Sequence, residues 1–392
     1  MLKADPTNTR YVCVALLGIV VARGAVTAGF RPLHPSERVV LPSAAGMGMQ
    51  GGLSSQWFDR TPSGKQSRTP KGVEDCAMIY DPLQHRILLS GGKTDAGRLV
   101  DGLWAFDLAK SVWQEVTVLD PKPPAVEDHS ALYDPIGQRM IIYGGIGGFS
   151  GSTTNNLWSF DLKTQRWRNM KGADVPRREL HSVVYDERGK RMVVFGGADR
   201  THLDLYEVWA LDLDPSSPTF EKWQNLTVEE GHPPGRLEHT AAYDPKKNRM
   251  VIHAGYAKAQ KQLFQDTWEY VFDQARDKPG RWRQIDTGNT GPTARRKALS
   301  VYDASRGWLV IEGGEREKLA KKPVMMADAW AFDLTADVWL DITPNNQGPA
   351  PRIGHRGIYD SDSQSVVLYG GVTEDKFLVP HDVWELRIQA AK

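Results

Sequence analysis

Four arginines stand at one repeated offset in this chain. Arg178, Arg236, Arg295 and Arg352 each lie seven residues before a Tyr-Asp dipeptide. Guanidinium forks match carboxylates bidentately, so an arc of four suits an acidic peptide or a carboxylate-bearing small molecule. The same arginines could instead pair with neighbouring Glu and Asp as a structural network, and both readings stay open. Two further copies carry Val73 and Val126 there, followed by Glu74-Asp75 and Glu127-Asp128. The row is therefore polarised, acidic in copies one and two and more basic in copies three to six.

Glu312 is the second candidate. It ends an apolar run, Trp308 to Ile311, at a position held elsewhere by Ser90, Tyr143, Phe195, His253 and Tyr369. A carboxylate on an apolar strand is either paired with a cation or a perturbed acid. Pairing with a cation of the Arg295-Arg296-Lys297 stretch is expected. If the chain is a catalyst, Glu312 with Arg295 and Arg352 is the place to look.

Four histidines also share one position, His129, His181, His239 and His355, replaced by Cys76 and Ala298 in the other copies. Residues related by a repeat spread around a wide ring, poorly spaced for metal bonds of roughly 2 Å. No metal and no cofactor are expected. With only two cysteines, Cys13 and Cys76, a disulfide framework and a four-cysteine zinc site are excluded. Phosphate-cradling and serine-hydrolase motifs are absent, and Gly147 to Gly151 reads as a flexible loop. Asn225-Leu226-Thr227 fits a glycosylation acceptor but falls on an expected strand.

What positions these residues is a repeat. Tyr-Asp recurs at Tyr80, Tyr133, Tyr185, Tyr243, Tyr302 and Tyr359, at intervals of 53, 52, 58, 59 and 57 residues. Eleven residues after each Tyr comes Gly-Gly, with Ala254-Gly255 in the fourth copy. A Trp follows at Trp104, Trp158, Trp209, Trp268, Trp330 and Trp384, and a second at Trp113, Trp167, Trp223, Trp282 and Trp339. Each segment is short, β-branched or aromatic, and bounded by Gly, Pro, Asp or Asn, the hairpin signal. Four antiparallel strands per unit of about 50 residues make a propeller blade. The chain is expected to be all-β, a six-bladed propeller of four-stranded antiparallel blades.

The last copy lacks its outer strand, while Ser55-Gln-Trp57 upstream aligns with the outer-strand tryptophans. An N-terminal strand over 55–61 is therefore expected to close blade six, leaving no free seam. That places twelve of the 13 Trp, two per blade, with Trp308 outside the scheme. Blades are expected over about 72–118, 125–171, 177–228, 235–287, 294–343 and 351–389.

The Tyr-Asp, Gly-Gly and Trp…Trp pattern resembles the kelch repeat family over residues 57–392. The resemblance implies that Arg in a Pro-Arg stretch before the first strand lines an acidic-peptide face. Pro176-Arg177-Arg178 and Pro351-Arg352 match that stretch. It also implies a binding scaffold for a protein or an acidic ligand. The alternative implied by the family is an enzyme on a small acidic sugar, like the six-bladed kelch sialic-acid mutarotases. Copper oxidases of this fold join a Cys to a Tyr, and the absence of a Tyr-His dipeptide and of a second mature cysteine rejects that reading.

Ahead of the repeat, Lys3 and Arg10 precede an apolar run from Tyr11 to Val21, then small residues to Gly29. Residues 1–29 read as a signal or targeting leader and 30–54 as a linker of low order. The secretory pathway is the expected destination. Phe30 just past the cleavage point resembles complex-plastid leaders, and a cytoplasmic location is the other alternative. The near balance of 49 Lys+Arg against 48 Asp+Glu argues against nucleic acid as partner. Neither membrane insertion after leader removal nor oligomerisation is expected. The long second-to-third-strand loop of blade five, with Arg316, Lys318, Lys321 and Lys322, is expected to concentrate positive charge.

Overall fold

The computed structural model describes residues 53–63, 68–147, 151–170, 175–199, 201, 203–288, 290–320, 322–374 and 379–390. The expected leader, residues 1–29, and the expected linker as far as residue 52 lie outside them. No helix among them is long and apolar enough to cross a membrane. Six four-stranded antiparallel sheets account for the repeat. In blade one the strands run Ala77–Asp81, Arg86–Ser90, Leu103–Asp107 and Val112–Glu115. Blades two to five repeat that meander, starting from Ser130–Asp134, Ser182–Asp186, Thr240–Asp244 and Leu299–Asp303.

Blade six has Arg356–Asp360, Ser365–Tyr369 and Val383–Ala390, and its fourth strand is Leu53–Asp59 from the other end of the chain. That strand pairs antiparallel with Trp57 opposite Leu386. Trp57 is buried, edge-on to Trp384 at 6.5 Å between ring centroids. It therefore fills the outer-tryptophan place of blade six, as its alignment with the other copies requires. The closing strand begins two residues earlier than the expected start at 55.

The core is a set of six clusters, one in each seam between neighbouring blades. The seam between blades six and one joins Ile358, Val367 and Tyr369 to Cys76, Met78 and Leu89. Burial in the seams follows from strand geometry: side chains alternate to opposite faces of each blade, and both faces meet a neighbour. Outer-strand tryptophans reach the second strand of the preceding blade. Trp113 meets Tyr369, Trp223 meets Tyr143 and Trp282 meets Phe195, with centroids 4.8–5.0 Å apart.

The Asp of each Tyr-Asp works in the turn that follows. Asp81, Asp134, Asp186 and Asp244 each bind the arginine that opens the second strand, Arg86, Arg139, Arg191 and Arg249, at 2.7–3.0 Å. Trp308 stands at that arginine's place in blade five. There Asp303 is bound by Arg306 at 2.6 Å, and the Arg306 guanidinium lies 5.6 Å from the Trp308 ring. The thirteenth tryptophan thus replaces an ion-pair arginine and is covered by the cation that takes over the bond.

Candidate functional site

The segment entering each first strand supplies the candidate site. Six consecutive blades place one residue at the axis in the left-handed region: Asp75, Asp128, Leu180, Glu238, Lys297 and Gly354, with φ from 50° to 66°. Each donates its backbone N–H to the carbonyl of its counterpart in the preceding blade, and Asp75 closes the circle on Gly354 at 2.9 Å. Six peptide groups make a closed hydrogen-bonded ring around the axis. The left-handed turn is what exposes N–H and C=O sideways, and Asp, Asn and Gly adopt it most readily.

Two residues before each ring residue lies the arginine row. The four guanidinium groups do not form a surface arc. Arg178, Arg236, Arg295 and Arg352 are 0–1% exposed. Each donates to the carbonyl that ends its own second strand, Gly196, Ala254, Gly313 and Gly370, at 2.9–3.1 Å. Each also binds the acid two residues before the third-strand tryptophan. Arg236, Arg295 and Arg352 grip Asp266, Asp328 and Asp382 through both terminal nitrogens at 2.6–3.0 Å, and Arg178 binds Glu207 at 3.0 Å. Burial alone would raise the three aspartates, but the arginine bonds hold them below the ordinary range. The expected ligand arc is therefore corrected to four internal staples. A sequence signal for this exists: where the arginine is Val73 or Val126, the acid is also missing, as Gly102 or Asn156.

Glu312 is likewise not held by Arg295, Arg296 or Lys297. Its Oε2 lies 2.6 Å from His355 Nε2 of the next blade, and both side chains are buried. Elsewhere an aromatic ring meets that histidine edge-on, Tyr143 on His181 and Phe195 on His239. Glu312 replaces the ring contact with a polar one. The structure does not bring Glu312, Arg295 and Arg352 into a shared cleft, since both arginines are occupied by their aspartates.

The remaining charges converge on the axis. Lys297 Nζ lies 2.9 Å from Asp75 and 3.7 Å from Glu238. Lys93 bridges Glu127 at 2.6 Å and Glu74 at 3.4 Å. Arg296 binds Glu238 at 3.1 Å and also Glu315. Burial works against the Lys297 ammonium, yet Asp75, Glu238 and Asp128 more than reverse this and raise it above the ordinary lysine range. Below the ring, a polar cavity of about 180 Å³ is lined by Asp75, Asp128, Lys297 and the histidines 129, 181 and 239. Burial, with nearby Arg356 for His129 and Arg236 for His239, pushes both imidazoles down to about 3. Cys76 is buried in the blade-six seam and pushed up to about 12 by burial, which leaves it an inert thiol.

On the same face, blade five carries a hairpin, Glu315–Ala320 with Lys322–Met325. Arg316 is exposed. Lys321 lies outside the described residues, and the side chains of Lys318 and Lys322 outside the described ones.

The model for the KLHDC2/KLHL20/DRC7 Kelch-repeats domain matches residues 53–217 and 147–371. Adagio-like protein 1 of Oryza sativa subsp. japonica is 26% identical over 288 residues, covering 70% of this chain and 43% of that protein. Kelch domain-containing protein 3 of Rattus norvegicus is 28% identical over 236 residues, 58% of each chain. The chain thus spans less than two thirds of the length of these relatives. Among solved structures, YjhT superposes with a TM-score of 0.62 over 82% of this chain and 98% of its own, at 14% identity, a likeness of fold.

Proposed function

This chain belongs to the kelch-repeat family, and from that premise we propose that it is a protein-binding scaffold working through the face that carries the axial ring. The observation that supports this is how charge and apolar surface divide between inside and outside. The recurring arginines are consumed by internal pairs, whereas residues that differ from blade to blade reach solvent on this face. Leu119, in the connection entering blade two, is 61% exposed, and Leu203, in the second-to-third-strand loop of blade three, is 62% exposed. Exposed apolar side chains on variable loops above a rigid ring are what a protein contact uses. The buried staples leave no arginine of the row for an acidic ligand, so the partner is read as a protein surface. The acidic-sugar enzyme loses its supporting constellation for the same reason.

The test compares Leu119→Asp with Leu203→Asp on this face, and Leu83→Asp, 43% exposed on the opposite face, as control. Partners captured by the wild-type chain are to be lost with the first two variants and kept with the third, with affinities then measured on purified components. Equal capture by all three overturns the reading. Residues 1–29 extend the proposal to the secretory pathway, checked by sequencing the N-terminus of the expressed protein: Gly29 or Phe30 supports cleavage, and an intact Met1 refutes it.

A further inference from the structure

Blades one and two lack the arginine staple, and their entering segments meet at the axis in a different way. One carboxylate oxygen each of Asp75, Glu127 and Asp128 lies within 4.8 Å of the others. Asp75 is 2% exposed and Asp128 8%. Two of the three have a cation at hand: Lys297 on Asp75 Oδ2 and Lys93 on Glu127. Among the described residues Asp128 forms no ion pair, and its buried Oδ1 has no hydrogen-bond partner. Asp75 Oδ1 likewise accepts no hydrogen bond; the closest cation to it is Arg356, at 3.8 Å. Next to Asp128 in sequence, His129 is 2% exposed and neither of its ring nitrogens is hydrogen-bonded. It lines the same cavity as Asp75 and Asp128.

Buried carboxylates are kept paired because an isolated one costs several kcal/mol. Here two carboxylates each carry a buried oxygen with no hydrogen-bond partner, and one oxygen of each lies within 4.8 Å of an oxygen of a third. We propose that Asp75, Glu127 and Asp128 form a binding site for one hard divalent cation of calcium size at the axial mouth. The donors are all oxygen, which selects Ca²⁺, Mg²⁺ or Mn²⁺ over zinc. Carboxylate oxygens within 4.8 Å of one another can share one ion. Calcium, with its flexible shell at about 2.3–2.6 Å, accepts a donor set fixed by the fold more readily than magnesium with its strict octahedron. The ion would tie the entering segments of blades one and two, where Val73 and Val126 cannot.

The experiment titrates CaCl₂, MgCl₂ and ZnCl₂ into the full chain after chelator treatment, by calorimetry and by thermal melting. The expected result is one Ca²⁺ per chain, weaker Mg²⁺, and a rise in Tm with Ca²⁺. Asp128→Asn keeps size and removes the buried charge; it is expected to fold, to weaken Ca²⁺ by on the order of tenfold or more, and to lose the calcium-dependent rise in Tm. No heat and no Tm shift at millimolar Ca²⁺ would overturn the site. So would equal binding by wild type and Asp128→Asn, which places the ion elsewhere.

Discussion

The Glu312 carboxylate and the His355 imidazole are joined across the seam of blades five and six, Oε2 to Nε2, at 2.6 Å with both side chains buried. The pair holds the place where Tyr143 and Phe195 meet His181 and His239 through ring edges. A seam that packs as aromatic on histidine in some blades and as carboxylate on histidine in another is tuned for adhesion between blades. Chemistry at solvent has no part in either arrangement.

Removing the carboxylate should therefore reduce stability. Glu312→Ala leaves His355 Nε2 without its partner and opens a void, an expected loss of about 3 kcal/mol. Glu312→Tyr copies the residue of blades two and six and should lose less. Urea denaturation of both variants checks this. A Glu312→Ala chain as stable as wild type would show that the pair contributes nothing.

The arginine staples make the next case. Arg352→Ala strands Asp382, which still accepts the Trp384 indole N–H at 2.7 Å, and removes the bond to the Gly370 carbonyl. About 3–5 kcal/mol should be lost. Arg352→Lys should recover little, since one ammonium cannot reproduce a fork on two oxygens and a carbonyl. Denaturation midpoints decide this. Loss of ligand binding at unchanged stability would return these residues to a surface role.

The buried histidines set a pH dependence. Burial, reinforced by nearby arginines, holds His129, His239 and His253 at about 3, and His181 well below its ordinary value. The unfolded chain protonates them near pH 6.5 while the folded chain does not. Their contribution is thus complete above pH 6.5 and is lost as pH falls toward the folded values. Each adds a slope of up to about 1.4 kcal/mol per pH unit. Asp128, Glu74 and Glu179, each raised chiefly by burial, run the other way and offset the four histidines in part. The depressed Asp266, Asp328 and Asp382 add a further loss only below about pH 4. Melting should fall steeply from pH 6.5 to 4.5, and His129→Ala, which copies Ala298, should flatten the slope. A Tm constant over that range would refute it.

How far the sequence could be read follows from what each feature depends on. Blade number, strand order and the role of Trp57 rest on patterns local to one copy and repeated, so alignment of copies exposes them. The staples could not be told from a surface arc, because residue type alone does not place a charged side chain. Its burial is decided by a partner 29 to 33 residues downstream, visible only by comparing two columns at once. Glu312 was matched to the wrong cation because its partner lies in the next blade. The axial trio draws on two offsets in two copies, and only the docking of consecutive blades brings it together.

Ring closure also gives the strongest prediction. Val383–Ala390 without Leu53–Asp59 would be an open edge of eight residues, a template for pairing with other chains. Trp57 also buries its ring against Gly348, where even a Cβ would stand 2.2 Å from it, so no other side chain replaces it without movement. Its backbone N–H donates to Asn346 Oδ1, and its carbonyl accepts the same residue's amide, at 2.9 and 2.8 Å. Trp57→Ala should cost about 3–5 kcal/mol. Removing residues 1–59 should go further, lowering the melting temperature and shifting the chain into aggregates by size-exclusion chromatography. A truncated chain that melted like the full one and stayed monomeric would mean that blade six closes without its fourth strand.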